Sequence, residues 1–129
     1  MVGQLHPPEV LLLYQDKRIE IHNPGPRTLY LWGGAYGDSK VSLDSSPPRV
    51  IVPGAYYYLF VDSFERQLRT GLARKHMREA TTPFHAFVTT EDSKKYTIRG
   101  ILLGKIADGI LSVHTQILPT LEGWNDNPQ

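Results

Sequence analysis

The sequence predicts a mainly β protein, an antiparallel β-sandwich of about seven or eight strands with one short crossover helix. Short runs of alternating apolar and polar residues recur along the chain at a spacing of about eight to twelve residues. Glycine and proline turn signals separate these runs, and only residues 62–79 have helical periodicity. A jelly roll or another small β-barrel is the alternative architecture.

Composition places the chain among ordinary globular proteins and predicts one domain, 1–129. Hydrophobic residues make up 40% and charged residues 21% of the 129 residues, which is typical of a folded domain. The net charge of +1 gives no global attraction to nucleic acid or acidic membranes. Cysteine is absent, which excludes disulfides and thiolate metal sites. Any electrostatic function must therefore come from a local patch.

The N-terminal part of the chain predicts no membrane insertion. Residues 1–8 form a loose lead without a basic segment followed by an apolar core, so we expect no signal peptide. The longest apolar run, Val10 to Tyr14, is far too short to span a bilayer. We expect a cytoplasmic protein, and the alternative is an exported mature form whose leader has been removed.

The segment Arg18 to Gly34 carries two alternating runs joined by a turn. The first run places two isoleucines on one face, and the second places two leucines on one face. Between the runs, Asn23-Pro24-Gly25-Pro26 suits a type II turn, because Pro24 presets φ and Gly25 accepts a positive φ. Alternation and turn chemistry together predict a half-buried antiparallel hairpin.

A second turn signal, Pro53-Gly54, connects a short strand at 50–52 to an aromatic strand at 55–61. This succession of short strand, Pro-Gly and aromatic strand resembles a connection common in immunoglobulin-like sandwiches, where it links two strands across an edge. The resemblance covers about a dozen residues. It does not by itself assign a family, and the sandwich that we predict is immunoglobulin-like.

Residues 62–79 predict a crossover helix that caps one open end of the sandwich. Asp62 and Glu65 have the spacing of a capping box. Three apolar residues form one stripe: Phe64, Leu68 and Leu72. Gly71 interrupts the pattern, so the helix either stops there or continues to Arg78 at a cost of about 1 kcal/mol.

Three strands are predicted in the C-terminal part of the chain, over 84–89, 96–106 and 110–118. Asp108-Gly109 joins the last two strands and suits a type I′ turn. The alternation slips near Gly100, which predicts a β-bulge there. Pro119 ends regular structure, and 119–129 form a polar tail.

Aromatic residues of the opening segment and the central strand are the candidate partner-binding residues. The set consists of Tyr30, Trp32, Tyr36, Tyr56 and Tyr58. Consecutive tyrosines at 56–58 must place at least one ring on the outer face of a sheet, where tyrosine and tryptophan favour protein interfaces. We predict a non-enzymatic module that binds a protein partner or self-associates through one shared face. The alternatives are that the helix or Trp124 covers the rings, or that they stack on a carbohydrate.

The helix also carries basic residues that form an alternative site for nucleic acid or a phosphate ligand. These residues are Arg66, Arg69, Arg74, Lys75 and Arg78. Most of them fall opposite the apolar stripe, so the simplest interpretation is a solvated helix face. No aromatic-basic RNA motif accompanies them, and nucleic acid is therefore not favoured.

The sequence contains no recognisable catalytic motif, and we predict no catalytic residue, metal or cofactor. No H-E-x-x-H or G-x-S-x-G occurs. A three-histidine metal site would require His22, His85 and His114 to meet from separate strands. Lys40 and Pro47-Pro48 resemble edge protection, which favours packing through a sheet face over edge pairing.

Overall fold

The computed structural model describes residues 7–41, 43, 46–61 and 63–124. Nine strands and one helix occur in these ranges: β1 (Leu11–Gln15), β2 (Arg18–His22), β3 (Leu29–Tyr36), β4 (Ser39–Val41), β5 (Arg49–Ile51), β6 (Tyr56–Phe60), α1 (Phe64–Lys75), β7 (Glu79–Thr89), β8 (Lys95–Ala107) and β9 (Ile110–Glu122). The predicted mainly β protein with one helix is confirmed. Residues 1–6 of the predicted lead and 125–129 of the predicted tail lie outside the described ranges.

The strands form two antiparallel sheets, which confirms the sandwich. The small sheet has the order β1-β2-β6, and the large sheet has the order β4-β3-β7-β8-β9, with β5 also paired to β3. The described strands belong to two separate ladders and do not close into the barrel that was the alternative. One hydrophobic cluster contains buried residues of both sheets and the helix.

β2 and β3 lie in different sheets, so the predicted hairpin is wrong. Gly25 has the expected positive φ of 94°. The buried Asn23 amide, however, donates to the carbonyl oxygens of Arg27 at 2.7 Å and Ile51 at 2.8 Å. These bonds tie the start of the connection to β5 of the large sheet. The apolar faces of β2 and β3 consequently meet in one core from opposite layers.

Leucine side chains from the facing layer pack directly against three glycines on the inner side of the large sheet. The pairs are Gly34 with Leu59 of β6, Gly100 with Leu12 of β1, and Gly104 with Leu68 of α1. A Cβ atom built on each glycine would lie between 2.0 and 2.7 Å from the leucine methyl carbon, closer than real contacts allow. Because glycine has no side chain, these three positions allow β1, β6 and α1 to pack closely against the large sheet.

The helix continues through Gly71 and ends at Lys75, with His76 as its left-handed C-cap. Asp62 of the predicted capping box lies outside the described residues, and Ser63 is the N-cap without a side-chain cap bond. Within the described part of the chain, no helix has the length and apolar character needed to cross a membrane.

Aromatic contacts connect the helix to both sheets. The buried Phe64 ring packs edge-on against Tyr14 of β1 and Tyr36 of β3, with centroids 5.9 and 5.8 Å apart. The Tyr14 hydroxyl donates to Glu65 Oε2 at 2.5 Å. Burial and this carboxylate raise the pKa of Tyr14 well above its usual range. The helix is thus fixed across the two layers.

β9 runs through Pro119 to Glu122, so the tail predicted to begin at 119 is wrong over these residues. β9 ends the described strand order, and an edge strand tolerates the missing proline N–H. The type I′ turn at Asp108-Gly109 is confirmed by φ values of 53° and 78°. The register of β8 against β9 shifts between Thr97 and Arg99, and not at Gly100 as predicted. The extra residue of this irregularity lies in β9, beside Pro119.

Candidate interaction surface

The register of the small sheet places nine outward-facing residues in three rows. Each row takes one residue from β1, β2 and β6: Leu11–His22–Tyr56, Leu13–Glu20–Tyr58 and Gln15–Arg18–Phe60. Their neighbours Ile19, Ile21 and Leu59 are fully buried in the core. Because side chains alternate along a strand, the nine residues point away from the core. We call these nine residues the small-sheet outer face.

Large apolar side chains on this face remain exposed to solvent. The exposed fractions are 58% for Leu11, 49% for Leu13, 48% for Tyr56 and 47% for Phe60. The two leucines lie on β1 and the two aromatic residues on β6, on either side of the polar strand β2. Exposed apolar patches are typical of interaction sites.

The centre of the same face contains a buried charge. Glu20 is only 5% exposed although it points outward. Its Oε2 accepts a hydrogen bond from Arg18 Nη2 at 3.2 Å, and its Oε1 lies 2.9 Å from His22 Nε2. The carboxylate is thus paired within the face. A partner can cover this centre without having to supply a countercharge.

Aromatic rings hold the paired charges in place. The Arg18 guanidinium lies over the Tyr58 ring at 4.9 Å, and the His22 ring stacks on Tyr56 at 4.7 Å. Tyr58 also packs edge-on against Phe60, with centroids 5.1 Å apart. Rings with packed neighbours lose little further conformational entropy on binding, which suits them to anchor a partner.

The structure brings only two of the five predicted partner-binding residues together. Tyr56 and Tyr58 lie on the small-sheet outer face, whereas Tyr30 and Trp32 lie on β3 in the large sheet. Tyr36 is only 6% exposed, and its hydroxyl is 2.7 Å from Ser63 Oγ. The prediction that the five share one face is therefore wrong.

The separation has two physical causes. The crossover after β2 sends β3 to the other sheet. A bulge between Leu31 and Gly33 then inserts one residue into β3, opposite Val88 and Phe87. Because a shift of one residue exchanges the two faces of a strand, Tyr36 points inward while Tyr30 points outward.

Trp32 belongs to a second aromatic cluster, on the outside of the large sheet. Its Nε1 donates to Thr89 Oγ1 at 3.0 Å, and its ring lies 6.0 Å from Trp124. Trp124 also packs on Phe87 and donates to the Val88 carbonyl oxygen at 2.9 Å. Trp124 contacts Trp32 but leaves it 40% exposed, so Trp124 covers this ring only in part.

The exposure of Leu11, Leu13 and Phe60 and the burial of Glu20 were not predicted from the sequence. The available signal was the apolar run Val10 to Tyr14, which lacks alternation. A strand that is apolar on both faces has either two buried faces or one exposed apolar face. β1 has the second arrangement, with exposure alternating along it.

The basic residues of the helix region do not converge on one site. Arg66 and Arg69 line a polar groove of about 490 Å³ together with Lys17 of the β1–β2 turn. Lys75 lines a different cleft, and Arg74 and Arg78 line neither. Of the five basic residues predicted to bind nucleic acid or phosphate, only Arg66 and Arg69 line the same groove. That alternative function stays a prediction.

The three histidines considered for a metal site also lie apart. His22 is on the small sheet, while His85 and His114 are on β7 and β9 of the large sheet. Among the described residues, no group of three or more histidine or acidic side chains could hold a metal ion. Burial and the nearby Arg99 lower the pKa of His85.

Comparison with known proteins gives no match among family models, curated proteins or solved structures. The function of this protein is therefore inferred from the geometry of the surface described above.

Proposed function

We propose that this protein is a non-enzymatic interaction module that binds a protein partner, or a second copy of itself, through the small-sheet outer face. The observation that carries the proposal is the arrangement of that face. Exposed Leu11, Leu13, Tyr56 and Phe60 surround a glutamate whose charge is already paired. Apolar anchors around a carboxylate that is paired within the face are typical of a protein interface.

The size of the patch limits the affinity it can provide. Fully burying a large apolar side chain contributes about 1.5–3 kcal/mol, and these four are already about half buried. Their combined contribution is therefore about 4 kcal/mol, which is at the low end of the cost of association. A stable complex must involve further contacts around the face, and the four residues act as its central anchors.

Salt dependence separates this proposal from the nucleic-acid alternative. Arg18 and Glu20 pair with each other on the small-sheet outer face, so binding there responds weakly to salt. Binding of phosphates by Arg66 and Arg69 would weaken steeply as salt increases. Carbohydrate binding through Trp32 would be insensitive to salt but would not depend on the small sheet.

Solution mass by light scattering at low and high salt tests the proposal. The face variant is the double substitution Leu13→Ser and Tyr56→Ser, and the matched control is Ile110→Ser, an exposed apolar residue at the distant β8–β9 turn. We expect the unmodified chain and the control to be larger than a monomer at both salts, and the face variant to be monomeric.

A monomer at both salt concentrations would contradict self-association. Binding of an external protein partner would then be the remaining form of the proposal. Peptides would then be selected from a displayed library against the unmodified chain and tested against both variants. Peptides that lose binding to the face variant but retain it with Ile110→Ser support the proposal. A selection that yields only peptides indifferent to the face variant contradicts it.

We also propose that the sandwich is of the immunoglobulin type. The supporting observation is the strand order, with β1, β2 and β6 in one sheet and β4, β3, β7 and β8 adjacent in the other. The large sheet also contains β9 beside β8 and β5 beside β3, and these two strands lie outside the correspondence. Immunoglobulin domains group strands A, B and E in one sheet and C, F and G in the other, with C′ beside C in the variable type. The helix then lies between E and F. This assignment concerns the fold, and the function is argued from the surface.

A further inference from the structure

We propose that a cleft between α1 and β7 binds a small zwitterion that carries one apolar group, the chemistry of a free apolar α-amino acid. The cleft has a volume of about 230 Å³ and also touches the β3–β4 turn. It shares no residue with the small-sheet outer face. The proposal does not depend on the proposed function, and each can fail without the other.

The floor of the cleft is apolar and belongs to the core. Tyr36, Phe64, Leu68 and Leu72 line it, and all four are almost completely buried in the core. An engineered apolar cavity of roughly 150 Å³ binds benzene, so this cleft has room for a ring or a branched chain and a few more atoms. The floor therefore favours an apolar group of that size.

The helix wall has a gap above this floor. Gln67, Gly71 and Lys75 are spaced four residues apart, which aligns them on one side of α1, and all three line the cleft. Gly71 lies in the middle of this row, and a Cβ atom built on it would meet no atom within 4 Å. Glycine is less favourable than alanine in a helix interior, and neither a turn nor a close contact requires it here. Its effect is to keep the cleft open between an amide and an ammonium group.

The mouth of the cleft carries one charge of each sign. Lys75 belongs to the helix wall, and Asp38 belongs to the turn between β3 and β4. Neither takes part in an ion pair found among the described residues. A zwitterion complements both, with its carboxylate at Lys75 and its ammonium at Asp38, while its apolar group covers the floor. A ligand with a single charge would leave one of the two unpaired.

Titration with L-phenylalanine, followed by NMR of the full chain, tests the proposal. Phenylacetate lacks the ammonium group and phenethylamine lacks the carboxylate, so these two compounds are matched controls. We expect L-phenylalanine to shift the signals of Leu68, Leu72, Met77 and Ala80 at millimolar concentration and to bind at least about tenfold more tightly than either analogue, a difference of about 1.4 kcal/mol. Absence of shifts, shifts spread over other surfaces, or equal binding of phenylacetate would overturn the proposal.

Variants assign the parts of the site. Gly71→Leu fills the gap with a better helix former, so we expect a folded chain with unchanged or higher melting temperature and at least tenfold weaker L-phenylalanine binding. Arg69→Gln, on the same helix outside the cleft, is the control and should leave binding unchanged. Asp38→Asn should weaken binding of phenethylamine and leave binding of phenylacetate unchanged. Lys75→Gln should weaken binding of phenylacetate and leave binding of phenethylamine unchanged. Unchanged L-phenylalanine binding in Gly71→Leu would contradict the site even if the ligand binds elsewhere.

Discussion

The outer faces of the two sheets both carry aromatic side chains but differ in what covers them. On the small sheet, Tyr56 and Phe60 remain about half exposed. On the large sheet, Trp124 contacts both Trp32 and Phe87. Trp124, which follows the last strand, makes both of these ring contacts. The exposure of an aromatic strand face therefore depends on what the rest of the chain places over it.

The two faces also treat their polar groups differently. The small-sheet outer face buries Glu20 between Arg18 and His22. On the large sheet, Arg99 Nε donates to the Pro119 carbonyl oxygen at 3.0 Å, and the tryptophan N–H groups bond to Thr89 and Val88. The small sheet thus pairs the Glu20 carboxylate with side chains of its own strand, while Arg18 Nε is buried without a hydrogen-bond partner among the described residues. In the large sheet, the Arg99 and Trp32 N–H groups bond between strands, and Trp124 bonds to β7.

The largest effect is expected from breaking the ion pairs of the small-sheet outer face. Glu20→Ala leaves the Arg18 guanidinium without its carboxylate partner, and we expect the free energy of unfolding to fall by about 3 kcal/mol. Urea unfolding measures this change. Gln15→Ala, an exposed substitution on the same face, should change it by less than about 0.5 kcal/mol. A similar small loss in Glu20→Ala would show that the buried pair does not stabilise the sheet.

An intermediate effect is expected from uncovering the large sheet. Trp124→Ala removes ring contacts with Trp32 and Phe87 and a hydrogen bond to Val88, and we expect a loss of about 2 kcal/mol, below that of a core tryptophan. The protein has only two tryptophans, so the fluorescence of the variant reports Trp32 alone. We expect its emission to shift to longer wavelength. Unchanged emission relative to a Trp124→Phe variant would mean that Trp124 does not shield Trp32.

The smallest effect concerns the acid stability of the large sheet. The pKa of His85 is lowered from 6.5 by burial and by Arg99, so the unfolded chain binds this proton first as the pH falls through 6.5. The free energy of unfolding should therefore decrease below that pH. Urea unfolding between pH 7 and about pH 5 should show a weaker decrease in His85→Gln than in the unmodified chain. Parallel curves for the two proteins would count against the lowered pKa.

Local signals predicted the secondary structure of this chain well. Positive φ at Gly25, Gly54 and Gly109 matches the three predicted turns. The apolar stripe Phe64, Leu68 and Leu72 is the buried side of α1. These features depend on residues close together in sequence, and the same residues decide them in the folded protein.

The candidate surface was predicted only in part. Tyr56 and Tyr58 lie on it, whereas Tyr36 points into the core because one bulge in β3 changes the register. The non-alternating run Val10 to Tyr14 did not distinguish a strand with two buried faces from one with an exposed apolar face, so the exposure of Leu11 and Leu13 could not be predicted. Assigning such residues requires knowing which sheet faces which.

The sequence by itself determined that the chain forms strands separated by turns and one helix, and that the strands have at least one apolar face, whereas the bounds of β7 and β9 extend beyond those predicted. Only the tertiary structure decided which sheet each strand joins, that Asn23 fixes a crossover instead of a hairpin, and that Trp124 covers one aromatic cluster while the small-sheet outer face remains open. The physical reason is that alternation and turn propensity depend on neighbouring residues. Strand pairing and coverage depend on contacts between residues far apart in the chain.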